Sequence, residues 1–178
     1  AAKFCDSIGK PRTIAELTKE RLRRAGAAMR KQNPQQAGHV GFRVYKLAES
    51  NIRAWSPAPD NLADTLLDYA EHLVAGRSEK DLLCELLLKH GLDLCTPVET
   101  STIAGKAVHA VGAGALIVCL ASGITQNTVE ALAHGIVAWR QKLAPAAETR
   151  VIFNDSGFSD DVAKTNMAAI LAQNGITN

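Results

Sequence analysis

Ala115-Leu-Ile-Val-Cys-Leu-Ala121 is apolar along its whole length, and Thr149-Arg-Val-Ile-Phe-Asn154 follows it as a second run of strand character. A strand apolar on both faces belongs in the centre of a sheet that is covered on both sides. Between the two runs, Thr125 to Leu143 sets Val129, Leu132, Ile136 and Val137 on one helical face. After them, Ser159 is expected to cap a last helix, Asp160 to Gln173, with Asp160 and Asp161 at its positive N-terminus and Asn174-Gly175 closing it. The order β-α-β-α predicts two parallel strands with a right-handed crossover. Upstream the period is 2. Glu99 to Ala104 and Ala107 to Val111 flank Gly105-Lys106, which predicts a β-hairpin, and Gly112-Ala-Gly114 then turns the chain back into the sheet.

Further upstream the pattern is helical. Asp60 opens one amphipathic stretch, with Leu62, Leu66, Leu67, Ala70, Leu73 and Val74 on one face and Gly76 at its end. Ser78-Glu-Lys-Asp81 opens another, with Leu82, Leu83, Leu86 and Leu87 inward and Gly91 as stop. Together they predict an antiparallel αα-hairpin. Asn51 to Pro59 reads as a loop, and His39 to Leu47 alternates as a strand would. Thr13 to Lys31 reads as a helix whose Thr13-Ile-Ala-Glu16 is a capping box. The polar stretch Gln32 to Gln36, with Pro34, ends it. The expected fold is α/β, a mixed sheet covered by helices, with the β-hairpin, the αα-hairpin and the C-terminal β-α-β-α unit. A basic helical arm over residues 1–36 precedes an α/β domain over 37–178.

The chain has 178 residues, 47% apolar and 21% charged, enough to bury a core. Aromatics are only 4%, which argues against a base-stacking nucleic-acid surface. Ala1 to Lys31 holds nine Lys/Arg against three Asp/Glu, a net of +6, while the rest carries a net of −4. The longest apolar run, Ala113 to Ala121, is far short of the roughly 20 residues that span a bilayer. Cys5, Cys84, Cys95 and Cys119 form no CxxC pair, and Cys84 and Cys119 sit in apolar patterns. Reduced buried thiols, a cytoplasmic location, no signal peptide and no membrane partner are therefore expected. The chain opens Ala-Ala-Lys without methionine and is expected to be a piece of a longer protein.

Few residues carry chemistry. The five histidines (His39, His72, His90, His109, His134) are scattered without metal-ligand spacing and read as surface or interface residues. Gly112-Ala-Gly114 precedes a strand instead of opening a helix, so it reads as a turn and not as a phosphate cradle. Ser156 lacks a nucleophile-elbow context and Cys119 lies in a strand, so no nucleophilic triad is expected. Asn154-Asp-Ser-Gly-Phe-Ser-Asp-Asp161 lies at the carboxyl end of a central strand, where open sheets place ligands. Two readings stand there. Asp155, Asp160 and Asp161 could hold Mg²⁺ for phosphoryl transfer, or they are the turn and cap residues that a helix start prefers. Two readings also stand for the basic helix. Lys19, Arg23, Arg24 and Arg30 could run along a DNA backbone, or they form a solvated or partner-facing surface with Glu16 and Glu20 as ion-pair partners.

Several stretches resemble one family. Thr13-Ile-Ala-Glu-Leu-Thr-Lys-Glu-Arg-Leu-Arg-Arg-Ala-Gly26 resembles the helix after the cofactor-binding motifs in modification subunits of type III restriction-modification systems. Gly41-Phe-Arg-Val-Tyr-Lys-Leu-Ala-Glu-Ser-Asn-Ile-Arg-Ala-Trp55 is similar to the segment that follows. Leu86-Leu-Leu-Lys-His-Gly-Leu-Asp-Leu94 with Pro97-Val-Glu99, and Gly114-Ala-Leu-Ile-Val-Cys-Leu120, resemble later segments. Arg150-Val-Ile-Phe-Asn-Asp-Ser-Gly-Phe-Ser-Asp-Asp-Val-Ala-Lys-Thr-Asn166 resembles the closing motif. The resemblance implies a DNA methyltransferase, a transferase that uses S-adenosylmethionine to methylate adenine N6. The family's DPPY-type catalytic and FxGxG-type cofactor motifs lie upstream of Thr13, so no catalytic, cofactor or metal residue carries over to this sequence. It implies a C-terminal portion, inactive alone, that supports dimerisation with a second modification subunit and assembly with the restriction subunit. DNA would be engaged through the full-length protein.

Overall fold

The computed structural model describes residues 1–35, 40–54 and 73–177. The chain divides into two compact units, Ala1–Ala48 and Glu49–Asn178. Residues 40–48 thus fall in the first unit.

The first unit holds α1 (Ala2–Ser7) and α2 (Ile14–Gln32). Thr13 caps α2, its hydroxyl accepting the Glu16 N–H at 3.3 Å. The expected reciprocal half of the capping box is missing. The Thr13 N–H already donates to the Pro11 carbonyl at 2.8 Å, which frees the Glu16 carboxylate for Lys19. Cys5 is buried, and the Arg24 guanidinium lies 5.0 Å from the centre of the Phe4 ring. The strand expected over His39 to Leu47 does not form in the described part, 40–47. Among the described residues of this unit no neighbouring strand completes a ladder. The chain instead lies along α2, where Gly26 is buried and a Cβ on it would sit 3.2 Å from Val40, and where Arg30 donates to the Val40 carbonyl at 3.0 Å.

The second unit is a mixed four-stranded sheet in the order β1-β2-β3-β4, with β1 Val98–Ile103, β2 Lys106–Val111, β3 Leu116–Cys119 and β4 Arg150–Phe153. The first two pairings are antiparallel and β3 pairs with β4 in parallel. Among the described residues three helices cover the sheet: α3 (Glu79–Lys89), α4 (Gln126–Leu143) and α5 (Asp161–Gln173). Ile117, Cys119 and Val151 pack with Leu132, Ile136 and Met167 of α4 and α5. Leu116 and Val118, with alternate parity, pack with Leu83 and Leu87 of α3. This two-sided burial is why β3 is apolar throughout. Burying one leucine or isoleucine side chain contributes about 1.5–3 kcal/mol, so these two layers hold the sheet together.

Three local details differ from the sequence reading. The hairpin turn is Ala104-Gly105, both at positive φ (49° and 75°), with Ile103 opposite Lys106. That is the backbone a two-residue hairpin with right-handed twist demands. The N-cap of α5 is Asp160 and not Ser159, because the Asp160 carboxylate reaches the Ala163 N–H at 2.8 Å. Of the first helix of the αα-hairpin, 60–72 lies outside the described residues. Its expected end, Leu73-Val74, is not helical: Leu73 bridges Ile52 and the Val74 N–H donates to Asn51. Among the described residues all four cysteines are free, Cys84 only half-buried and Cys95 exposed. None of the described helices is long and apolar enough to cross a membrane.

Candidate interaction surface

A groove in the first unit follows from α2 and the segment beside it. Leu22, Ala25 and Met29 recur at helical spacing and form one wall. Val40, Gly41, Phe42 and Val44 form the other. Buried Gly26 forms the floor, where the missing side chain lets Val40 approach the helix. The groove encloses about 760 Å³. Its walls are wet: Met29 is 50% exposed and Val44 53%.

The four cations singled out from the sequence all lie on α2, and each makes an intramolecular contact. Lys19 pairs with Glu16 at 2.6 Å, Arg24 with Glu20 at 2.8 Å and Arg23 with the same Glu20 at 3.5 Å. Arg30 is the strut to Val40. The hydrogen bond from Lys19 holds the Glu16 carboxyl below its ordinary range, and that from Arg24 does the same for Glu20. Only Arg23 and Arg30 also line the groove, seven residues apart on one wall.

The carboxylates of the loop after β4 are likewise committed. Asp155 pairs with Lys164, which raises the lysine's pKa. Asp160 accepts from Ala163, Ser159 and Gln126, and the Ala163 N–H leads in holding its carboxyl below the usual range. Asp161 lies in the first turn of α5. Among the described residues no group of three His, Cys, Asp or Glu side chains is placed to hold a metal ion. Gly112 to Gly114 form a left-handed turn back into β3.

Comparison with known protein families and with curated protein sequences finds no match for this chain.

Two polar sites are invisible in the sequence. Glu85 on α3 accepts from the Ser50 hydroxyl at 2.5 Å, the Asn51 N–H at 2.6 Å and the Asn51 amide at 2.7 Å, and pairs with Lys89 at 3.0 Å. Burial pushes its carboxyl up, but the bonds from Ser50, Asn51 and Lys89 outweigh it and bring the pKa down to about 2. The site anchors the start of the second unit to α3. His109 on β2 departs from the expectation of surface or interface histidines, lying inside the second unit at only 9% exposed. Its Nδ1 lies 2.9 Å from the Thr100 hydroxyl across the hairpin, and its Nε2 lies 3.2 Å from Glu79 without hydrogen-bond alignment. His90 and His134 are exposed; His39 and His72 lie outside the described residues.

Proposed function

We propose that this chain is the C-terminal portion of a modification subunit of a type III restriction-modification system, working in the cytoplasm as an assembly element. In this reading adenine-N6 methylation of DNA and the binding of S-adenosylmethionine belong to upstream segments of the subunit. The present residues contribute contacts to a second modification subunit and to the restriction subunit. The family resemblance of the segments from Thr13 to Asn166 motivates the reading. The observation that carries it is the open apolar groove on α2, since a surface lined by Leu22, Met29, Phe42 and Val44 favours burial against protein. The intramolecular pairing of Lys19 and Arg24 supports a protein-facing surface over a track for phosphates.

The test mixes the purified chain with a type III restriction subunit and, separately, with an intact modification subunit. Size-exclusion chromatography with light scattering reads the mass. Co-elution with either is expected. A chain that elutes alone in both mixtures refutes the assembly role.

A further inference from the structure

The charge of the molecule is sharply segregated. Residues 1–48 hold eleven Lys/Arg and three Asp/Glu, a net of +8; residues 49–178 hold nine and fifteen, a net of −6. All three acids of the first unit are already paired, Asp6 with Arg12, Glu16 with Lys19 and Glu20 with Arg23 and Arg24. The first unit therefore keeps a positive excess, and two of its cations, Arg23 and Arg30, line the groove beside its apolar walls. Leu22 and Met29 stand seven residues apart on α2, two helical turns or about 10 Å, with Ala25 and Gly26 between them. Arg23 and Arg30 repeat the same interval along that wall.

We propose that the α2 groove receives an acidic amphipathic helix of a partner protein. This deepens, and rests on, the assembly reading above. Apolar residues at i, i+3 or i+4 and i+7 of the incoming helix fill the space between Met29 and Phe42. Its carboxylates, one on each of two turns, face Arg23 and Arg30. Arg23 shares Glu20 only loosely at 3.5 Å, and Arg30 holds Val40 through one nitrogen, so both guanidinium groups keep donors for a carboxylate. Duplex DNA fits less well, because it offers nothing to cover the apolar walls.

The probe is a synthetic helix of about 16 residues, long enough to fold, with leucine at the i, i+3 and i+7 positions and glutamate on both flanks. A lysine-flanked copy and a duplex oligonucleotide are the comparators. Fluorescence anisotropy with the full chain reads binding at low and moderate salt. The acidic helix is expected to bind and to weaken with salt, and the lysine copy is expected not to bind. Met29→Asp and Leu22→Asp, at sites already half-exposed, should each weaken binding about tenfold or more. Ile14→Asp, 82% exposed and outside the groove, should leave it unchanged. Circular dichroism checks that each variant is folded, and Phe42→Ser on the opposite wall replaces any that is not. Absence of binding, equal binding of the lysine copy, or binding indifferent to the groove variants overturns the proposal. So does DNA that binds and displaces the acidic helix. Failure here with intact co-elution of the restriction subunit removes the groove alone. Failure of co-elution with peptide binding intact removes the assembly reading.

Discussion

Replacing Glu85 by glutamine removes one negative charge from a place that holds four donors around it, from the Ser50 hydroxyl, the Asn51 N–H and amide, and Lys89. The Glu85 side chain is 14% exposed and Lys89 51%, so solvent screens the bond to Lys89 more than those to Ser50 and Asn51. The carboxyl titrates at about 2 in the folded protein against an ordinary value of 4.5. A difference of about 2.5 between the two corresponds to about 3 kcal/mol of stability at neutral pH. The sign follows from the direction. The folded pKa is depressed, so the stabilisation is complete above 4.5 and is lost as the pH falls through 4.5 towards 2. Urea unfolding followed by far-ultraviolet circular dichroism on wild type and Glu85→Gln measures it. The variant should be less stable by about 2–3 kcal/mol near pH 7, and the gap should narrow steeply below pH about 4.5. Lys89→Met should account for only a small part, about 0.5 kcal/mol, as an exposed i,i+4 pair does. A gap near pH 3 as large as at pH 7, or no gap at pH 7, would refute the reasoning.

Gly135→Ala places a Cβ against the Ile103 side chain across the helix–hairpin contact, and should lower the melting midpoint; Ile103→Ala in the same chain should restore part of the loss, as a double-mutant cycle would show. Gly157→Ala drives a Cβ into the Ala121 carbonyl, which is backbone and cannot step aside, so a loss above about 2 kcal/mol is expected in chemical denaturation. Thr149→Val removes a fully buried hydroxyl that accepts from Arg140 at 3.0 Å and donates to the Gly114 carbonyl at 2.9 Å, with an expected cost of about 1–3 kcal/mol by the same assay. Asp160→Ala should lower the thermal midpoint by removing the α5 cap while Asp160→Asn largely keeps it, and Mg²⁺ should shift neither; a magnesium-dependent rise abolished in Asp160→Ala/Asp161→Ala would revive phosphoryl transfer at this loop.

What was legible in the sequence is what repeats locally. The two-sided apolarity of β3, the helical stripe of α4 and the punctuation at Ser78 and Gly91 each need only neighbouring residues, and each is found in the structure. The hairpin turn lies one residue before the expected Gly105-Lys106 pair: a glycine is the obvious turn residue, whereas Ala104 at φ 49° is an uncommon choice. The global packing decides the matter: Ile103 must face α4, where Gly135 leaves room, and a slip of one residue would turn it to the opposite side of the sheet. The alternation of Val40, Phe42 and Val44 was equally clear, but alternation says only that one side of an extended chain is apolar. It does not say whether a strand or a helix supplies the partner, and here a helix does.

The sites escaped for a different reason. Glu85 meets Ser50 and Asn51 across about thirty-five residues, Arg140 meets Thr149 around a helix end, and His109 meets Glu79 from another layer. No spacing rule connects such pairs, because their distance along the chain is set by the intervening fold. The same argument explains why the basic helix could be read two ways. Its cations follow one another at intervals that suit a phosphate track as well as a salt-bridged face. Only the positions of Glu16, Glu20 and the Val40 carbonyl decide what those cations already hold. With those bonds in place, Arg23 and Arg30 flank an apolar groove, and an incoming surface must satisfy both features at once.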